Sequence, residues 1–502
     1  MIVIVIHPPR FDDRLGLTEG GELMYVQTFV AQGTAETVSV LQFQTAVVFR
    51  GDVNSEAIIK RVLNTSIAKP IQDTPTDTSA HVPWRGSAVF WKLQAYGLVG
   101  ITFSSFFPKL IHFQEYTFFF LLAVGLCVAW VERKNPWVGT PIDVPLLGFV
   151  GWVLCTIPFA TDPAYSFSEW RKIVVQVLVF YWAMFVLRSC RRFELPRQII
   201  WTVVLGSLVL SGFALVDFIL RGGTWRDRLV RAGAPYSDYN WLATYLVLVI
   251  PILIWWVVAH RAFWTRALGV LTLVTAGLAQ SASYTRAGWV AHFAQAVGFG
   301  IMAGRRRLVI WALVVAIAMG GGVFVVSEIG YQRDTVDSWT FNTRVKTWQL
   351  GLHQVVEHPL VGVGYGNDTF TKVYAAEIEA DETKSVKERT LKGLHNTFAM
   401  VLMGSGVPAL ILFIWIFARI AITLTRQWRR FAADETQGVL VAVAVVTIGF
   451  TTRNLFDYMF AGSLAHLFWI LVATGLCSVR PQVSTEAGAG DLSLNVVVRS
   501  EH

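Results

Sequence analysis

Long apolar windows, separated by polar stretches, recur along this chain from about residue 96 to about residue 480. Each window holds roughly 16–25 mostly apolar residues, the length that an α-helix needs to cross a bilayer. About twelve windows fit this pattern, and we predict a membrane-spanning helix for each. They cover residues 97–113, 117–132, 144–160, 170–188, 199–220, 239–259, 264–281, 285–303, 307–326, 397–420, 436–452 and 463–479.

One polar stretch, residues 327–396, holds about 70 residues, far more than a connection between two helices needs. Part of it shows apolar residues at helical spacing, at Val345, Trp348, Leu352 and Val355. We therefore predict a helix that opens after Thr343 and ends at Pro359. Such a helix could also lie on the membrane with Trp348 at the interface, and that alternative stays open.

The remaining segments differ in character from the windows. Residues 1–95 alternate weakly between apolar and polar positions and end in a Thr/Pro/Asp-rich linker. They fit a small β-rich cytoplasmic domain, a disordered arm or an over-extended start. The fold class that follows is an all-α integral membrane protein with a large helical periplasmic loop between helices nine and ten. The predicted divisions are an N-terminal extension (1–95), helices one to nine (96–326), the loop (327–396), helices ten to twelve (397–480) and a disordered cytoplasmic tail (481–502).

Composition supports a membrane protein independently of the windows. The chain is 54% hydrophobic and only 15% charged, with a mean hydropathy of +0.51, which is too apolar for a soluble protein of 502 residues. Three of its four cysteines fall within apolar windows and the fourth, Cys190, lies beside an inner loop. This arrangement indicates neither a disulfide framework nor a zinc site.

Basic residues give the orientation. If the N-terminus is cytoplasmic, the inner loops and their edges hold Arg133, Lys134, Arg188, Arg191, Arg192, Arg197, Arg261, Arg266, Arg305, Arg306, Arg307, Arg426, Arg429 and Arg430. Such a bias is typical of cytoplasmic loops. The 327–396 loop then lies outside, in the periplasm of a bacterium with two membranes. The net charge of +8 therefore describes topology, and we expect no nucleic-acid partner.

Some basic residues lie on the outer side against this bias. They include Arg171, Lys172, Arg221, Arg226, Arg228, Arg231, Arg286 and Arg453. Arg231 and Arg286 indicate an anionic partner, because a guanidinium is always charged and forks onto two phosphate oxygens. The alternative, favoured for the others, is that these side chains extend to lipid phosphates.

His395 immediately precedes the window 397–420, so it should stand at the membrane surface. A histidine titrates near neutral pH and is able to take a proton from a hydroxyl group. The alternative is a histidine that merely packs at the start of a helix. His353 and His358 are expected to face solvent or to cap a helix.

Four sequence pieces together resemble the O-antigen ligase/polymerase family over roughly residues 96–480. They are Arg344-x3-Trp348, His358-Pro-Leu-x-Gly362-x-Gly364-x-Gly366, Leu394-His-Asn-x-Phe398 and Gly404-x-Gly406-Val-Pro408. Members of this family are bacterial inner-membrane glycosyltransferases that take a glycan from undecaprenyl diphosphate. The resemblance therefore implies this carrier-linked glycan and the lipid bilayer as partners. It leaves the acceptor open among lipid A-core, a growing polysaccharide and a protein.

The resemblance also implies roles for single residues. Arg231 and Arg286 correspond to arginines held to bind the carrier diphosphate, with Arg344 assisting, and His395 would activate the acceptor hydroxyl. Tyr239 departs from the family pattern, in which proline commonly precedes the asparagine that is Asn240 here. Neither a metal nor a cofactor is implied, and Glu379-Ala-Asp381 is only a loose relative of a metal-binding motif.

A polytopic anion transporter or a polysaccharide export component is the competing class. About twelve spans and arginines at the membrane edge would suit it. Against it, the halves of the chain show no internal repeat and the polar residues gather on one face. A third class, a structural scaffold for an export complex, would not need the outer arginines.

Overall fold

The computed structural model describes most of the chain from residue 87 to residue 478. The described residues are 2–5, 23–32, 40–49, 87–190, 194–224, 230–236, 238–304, 307, 310, 334–374, 393–428, 435–478 and 497–498. The chain divides into two units, one formed by Met1–Val82 with Pro481–His502 and the other by Pro83–Arg480.

The smaller unit contains a four-stranded sheet. Its strands are β1 (Ile2–Val5), β2 (Leu23–Gln32), β3 (Val40–Phe49) and β4 (Val497–Val498), in the spatial order β1-β2-β3-β4. β2 pairs antiparallel with both β1 and β3, whereas β4 pairs parallel with β3. The strands agree with the β-rich alternative for residues 1–95, and β4 lies within the tail predicted to be disordered. The all-α expectation therefore applies to the larger unit only.

The described part of the larger unit is helical. Its helices are α1 (Ser87–Ser104), α2 (Ile111–Val131), α3 (Asp143–Thr156), α4 (Pro163–Ser189), α5 (Leu195–Leu220), α6 (Tyr239–Ala259), α7 (Phe263–Ala282), α8 (Arg286–Met302), α9 (Asp334–Glu357), α10 (Thr369–Val373), α11 (Thr397–Trp428), α12 (Glu435–Asn454) and α13 (Gly462–Ser478). Each predicted window overlaps one of these helices, except 307–326, of which only residues 307 and 310 are described.

The predicted window limits agree best with the observed helix limits where polar residues flank the helix. α6 occupies the predicted residues 239–259, whereas the predicted window 97–113 is wrong in its limits. α1 ends at Ser104, and a 3₁₀ turn with Pro108 at its first position leads into α2. Proline favours the first turn of a helix, so the break in the chain falls there rather than at residue 113.

Five helical segments among the described residues are long and apolar enough to cross a membrane. They are Pro108–Val131, Pro163–Ser189, Leu195–Leu220, Tyr239–Ala259 and Thr397–Trp428. Three shorter apolar helices accompany them at Asp143–Phe159, Gly438–Asn454 and Gly462–Ser478. Large apolar side chains such as Trp130, Leu220 and Trp264 are exposed on the helical unit, as expected of a surface that meets lipid. The chain is thus a helical membrane protein, and the count of twelve spans stays a prediction.

α13 forms the centre of the larger unit. It is buried from Ser463 to Leu476, polar residues such as His466 and Thr474 included. A helix that is buried on every side needs neighbours all around it, and α13 packs closely on α4. α12 packs on α6, α8 and α11, and this second group of helices carries the polar residues described below.

α11 is broken in its first third. Gly406 has φ 79° and ψ −178°, and Pro408 has no backbone N–H to continue the helical ladder. The freed backbone groups pair instead with the segment that follows α9. The N–H groups of Val363 and Gly364 donate to the carbonyls of Met403 and Gly404 at 3.0 and 2.9 Å, and the N–H of Val407 donates to the carbonyl of Pro359 at 2.8 Å.

The glycines make this pairing possible. A Cβ atom at Gly406 would overlap the carbonyl group of Leu360, and one at Gly362 would overlap the carbonyl oxygen of Met403. The break lies nine residues after Thr397, roughly 13 Å along the helix axis. Irregular backbone at such depth in a membrane is tolerated only where protein satisfies its polar groups. These glycines therefore have a structural role, because they let the break in α11 pair with the segment after α9.

Candidate functional site

His395 lies in a turn that is fixed on both sides. Its backbone is left-handed, with φ +47°, a conformation that residues other than glycine seldom adopt. On one side, the Asn396 Oδ1 atom accepts from the N–H groups of Phe398 and Ala399 and so caps α11. On the other side, Trp348 Nε1 of α9 donates to the carbonyl of Leu394 at 2.9 Å. Trp348 is half-buried and thus positions the histidine turn, a role that the membrane-surface alternative does not include.

Asp457 faces His395 from the loop between α12 and α13. Its Oδ1 lies 3.2 Å from His395 Nδ1, and the side chains are 12% and 42% exposed respectively. Burial alone would raise the pKa of Asp457, but the hydrogen bond from His395 and the charge of Arg453 outweigh burial and hold this pKa below its usual value. Asp457 is therefore a carboxylate. A carboxylate at Nδ1 favours the tautomer in which Nε2 is free to accept a proton.

The position of Asp457 is itself held by neighbours. The single hydroxyl proton of Thr397 is within reach of two acceptors, Asn454 Oδ1 at 2.7 Å and the Asp457 carbonyl at 3.0 Å from Oγ1. The Tyr458 N–H donates to Asp457 Oδ1 at 3.0 Å. The sequence analysis missed this residue. An acidic residue in the short connection between two apolar windows was the signal that could have found it.

Arg453, unlike Asp457, was considered in the sequence analysis but was placed wrongly. It lies in the last turn of α12 and was expected to extend to lipid phosphates, yet its side chain is only 1% exposed. Its Nη2 lies 3.7 Å from Asp457 Oδ2 and donates to Asn240 Oδ1 at 3.0 Å. α12 packs between α6 and α11, and this packing encloses the side chain. A lipid-facing position was predicted because the partners of Arg453 lie far away in sequence.

Arg231 connects to the same cluster through Tyr239. Its guanidinium lies 4.5 Å from the centre of the Tyr239 ring, a cation–π contact. Tyr239 opens α6 immediately before Asn240, and Asp238 caps this helix by accepting from the Asn240 N–H at 2.8 Å. The tyrosine that departs from the family pattern thus supplies the surface on which Arg231 rests. A continuous set of contacts therefore leads from Arg231 through Asn240 and Arg453 to His395.

Arg286 and Arg344 occupy neighbouring elements. Arg286 is exposed and opens α8, whose N-terminus carries partial positive charge. The turns that carry Arg231 and Arg286 are joined by the Ala232 N–H, which donates to the Ala282 carbonyl at 2.9 Å. Arg344 is half-buried on α9, and its charge acts on Arg453. The structure therefore places all four residues named from the sequence at the end of the unit where α6, α8 and α11 begin. We call this the charged end.

Other candidates lie apart from this cluster. His353 is exposed and lies 3.6 Å from Glu357, and His358 is exposed as well. Within the described residues, no group of three or more histidine, cysteine or acidic side chains could hold a metal ion. Glu379-Ala-Asp381 lies outside the described residues.

Comparison with known protein families gives one match. A family model described as O-antigen ligase matches residues 271–414 of this chain. The match confirms the resemblance predicted from the sequence pieces around Arg344, the glycine segment and His395. It covers less than half of the chain and does not reach Arg231, Arg453 or Asp457. Comparison with curated proteins gives no match.

Proposed function

We propose that the protein is a membrane glycosyltransferase that moves a glycan from undecaprenyl diphosphate to an acceptor hydroxyl. One observation carries this proposal: the His395–Asp457 pair belongs to the same contact network as Arg453 and Arg231. Glycan transfer from a diphosphate carrier needs a base for the acceptor and positive charge for the leaving group. The charged end brings these two requirements together, within a chain similar to O-antigen ligases over residues 271–414.

In the proposed reaction, Nε2 of His395 takes the proton of the acceptor hydroxyl. The acceptor oxygen attacks the anomeric carbon of the glycan, and the bond from that carbon to the diphosphate oxygen breaks, with inversion of configuration. Asp457 acts as a positioning residue, because it orients the imidazole and stabilises the positive charge that forms on it. The electron pair of the broken bond stays on the diphosphate.

Arginines would stabilise this leaving group. Arg231 and Arg286 would bind the diphosphate, and Arg344 would assist from α9. Three guanidinium groups supply the positive charge that a divalent cation supplies in other enzymes, so we expect EDTA to leave the transfer rate unchanged. A rate lost with EDTA and restored by magnesium or manganese would contradict this part of the proposal.

The decisive assay uses the purified protein, a carrier-linked glycan and three acceptors in parallel: lipid A-core, a carrier-linked repeat and a protein. The expected result is glycan transfer to one of them with stoichiometric release of the carrier diphosphate. Arg231→Ala and Arg286→Ala should each strongly reduce transfer, and Arg→Lys should restore little, because an ammonium does not fork onto two oxygens. Arg197→Ala is the matched control, since Arg197 is exposed at the opposite end of the unit. Near-normal transfer in both alanine variants would remove the two arginines from the mechanism.

The proposed reaction takes place on the periplasmic face of a bacterial inner membrane. In a variant without the native cysteines, Asp368→Cys, at an exposed position beside the start of α4, should react with an impermeant reagent in intact spheroplasts. A cysteine at exposed Arg426, at the far end of α11, should react only after permeabilisation. The reverse pattern would overturn the orientation.

Transport is the second candidate, because the break in α11 is a feature of many transporters. In those proteins, unwound carbonyls coordinate ions near the middle of the membrane. Here the carbonyls of Met403 and Gly404 already accept from the backbone of Val363 and Gly364, which favours an architectural role. Uptake of a labelled anion by proteoliposomes, without release of carrier diphosphate, would instead favour transport.

A further inference from the structure

The guanidinium of Arg453 is buried but incompletely paired. Its side chain is 1% exposed, yet among the described residues neither Nε nor Nη1 has a hydrogen-bond partner. Buried polar groups are almost always hydrogen-bonded, and an unpaired charged donor is especially costly. An unpaired donor in a native protein therefore calls for a bound group or a functional reason.

The acidic neighbours of Arg453 do not complete its pairing. Asp457 Oδ2 lies 3.7 Å from Nη2 of Arg453, beyond hydrogen-bond distance. The other carboxylate oxygen, Oδ1, already pairs with His395 Nδ1 and accepts from the Tyr458 N–H. Asn240 satisfies only one donor of Arg453. The single carboxylate of Asp457 thus faces both a histidine and an arginine.

Further positive charge surrounds this position. Arg344 acts on Arg453 with like charge, and Asp238 is the other acid whose charge reaches it. Arg231 lies on Tyr239, next to the asparagine that Arg453 binds. Arg453, Arg344 and Arg231 together are three basic groups against two acids, Asp457 and Asp238, so a bound anion would lower the electrostatic energy of the cluster.

Helix polarity accounts for only part of this arrangement. A cation in the last turn of α12 is favoured by the helix dipole. That effect explains the charge at the helix end, but an exposed lysine would serve it equally. It explains neither the burial of the guanidinium nor the two nitrogens without partners.

We propose that Arg453 binds a phosphate group of the donor directly, through Nε and Nη1. It would be the buried member of an anion site whose other members are half-buried Arg231 and exposed Arg286. This inference rests on the proposed function and extends it to a residue outside the matched segment. The ligand chemistry is a diphosphate, either esterified to a lipid or free.

The first experiment measures binding of two probes, a polyprenyl diphosphate and inorganic pyrophosphate, to the full chain in lipid nanodiscs. Arg453→Met keeps the length of the side chain but removes its charge and donors. We expect both dissociation constants to rise about 10- to 100-fold, the usual effect of losing a hydrogen bond to a charged group. Arg453→Lys should recover little of the affinity. Arg188→Met, at an exposed position at the opposite end, should bind as the wild type does.

The second experiment separates phosphate binding from neutralisation of Asp457. If Arg453 only neutralises this carboxylate, the double variant Arg453→Met/Asp457→Asn should bind both probes normally. We expect the double variant to bind as weakly as Arg453→Met. Asp457→Asn alone should bind both probes at least as tightly as the wild type, because it leaves the Arg453 charge unopposed. This last variant keeps the test available even if Arg453→Met does not fold.

The outcomes distinguish the inference from the proposed function. If the wild type binds the lipid diphosphate and Arg453→Met binds it equally, the inference is overturned and the proposed function stands. Restored binding in the double variant, or a tenfold weakening in Asp457→Asn, would also overturn the inference. Loss of affinity for the lipid probe alone would place Arg453 at the lipid rather than the phosphate and overturn it too. A wild type that binds neither probe would contradict the proposed function itself.

Discussion

Backbone and side-chain polar groups are buried in two neighbouring regions of the helical unit, and they are paired to different degrees. At the break in α11, the carbonyls of Met403 and Gly404 and the N–H of Val407 all have backbone partners. At the end of α12, Arg453 is as deeply buried, but two of its three nitrogens lack a partner among the described residues. The first region needs nothing further to be stable. In the second region, the Nε and Nη1 donors of Arg453 still need a hydrogen-bond acceptor.

The same difference divides the sequence pieces that carry the family resemblance into two kinds, structural pieces and pieces with groups accessible to a ligand. The glycine pieces around Gly364 and Gly406 form backbone contacts within the protein, so their role is structural. The histidine and arginine pieces end at groups that remain available to a ligand, such as the 42%-exposed His395. Pieces close together in one motif thus perform different tasks.

The largest effect is expected at the paired region, for Gly406→Ala. Alanine would have to adopt a left-handed backbone, and its Cβ would overlap the Leu360 carbonyl. We expect a loss of more than about 3 kcal/mol in the free energy of unfolding and little folded protein. Yield of monodisperse protein and melting temperature in detergent would measure this effect. Gly212→Ala in α5 is the control and should be tolerated, because no neighbouring group lies within 4 Å of a Cβ added there. A Gly406→Ala variant as stable as the wild type would disprove the paired break.

The next effect is expected for His395→Ala. If His395 is the general base, its loss should lower turnover about 100- to 10,000-fold while carrier binding changes little. The wild-type rate should also fall at acidic pH, because a protonated imidazole cannot accept the proton of the acceptor hydroxyl. Turnover and carrier affinity should be measured in one preparation, with exposed His358→Ala as the control. Equal loss of both quantities would make His395 a binding residue, and a loss of only a few-fold would indicate a packing role.

A smaller loss is expected for Asp457→Asn, which keeps a hydrogen-bond acceptor beside His395 but removes its charge. Hydrogen bonds to a charged partner are about twice as strong as neutral ones. We therefore expect turnover to fall about tenfold. Kinetic assays alongside His395→Ala would rank the two effects. A variant with unchanged turnover would exclude Asp457 as a positioning residue.

The same variant tests the charge of Asp457 through stability. The folded protein holds the pKa of Asp457 below its usual value, so this group stabilises the fold above about pH 4. That contribution is lost as the pH falls through the folded-state pKa. The melting temperature of the wild type should therefore fall more steeply below pH 4 than that of Asp457→Asn. Parallel curves would contradict the assigned hydrogen bond.

The smallest effect is expected for Trp348→Phe, which keeps the aromatic packing but loses the hydrogen bond to Leu394. Such a bond contributes about 1 kcal/mol, so the turn that carries His395 should loosen and turnover should fall a few-fold. Trp264→Phe, at a side chain that is 81% exposed, is the matched control. Turnover equal in both variants would show that Trp348 does not position the histidine.

Much of the helical unit could be predicted from the sequence. Apolar windows gave the limits of α6 and the approximate positions of its neighbours, because the length of an apolar run decides whether it can cross a membrane. The order of glycines, His395 and Arg344 indicated a resemblance to O-antigen ligases, which the family match over residues 271–414 confirmed. For residues 1–95, weak alternation left three alternatives open, since a half-buried strand gives a much weaker signal than a membrane helix.

Only the tertiary structure decided which polar groups meet. His395 and Asp457 are 62 positions apart in the chain, and Asn240 and Arg453 are 213 apart. No local pattern indicates such pairs, because they arise when α12 packs against both α6 and α11. Sequence shows where an arginine ends an apolar helix, but packing decides whether it faces lipid or a buried carboxylate. For Arg453 it decided burial, since α12 packs between α6 and α11 and this packing encloses the side chain.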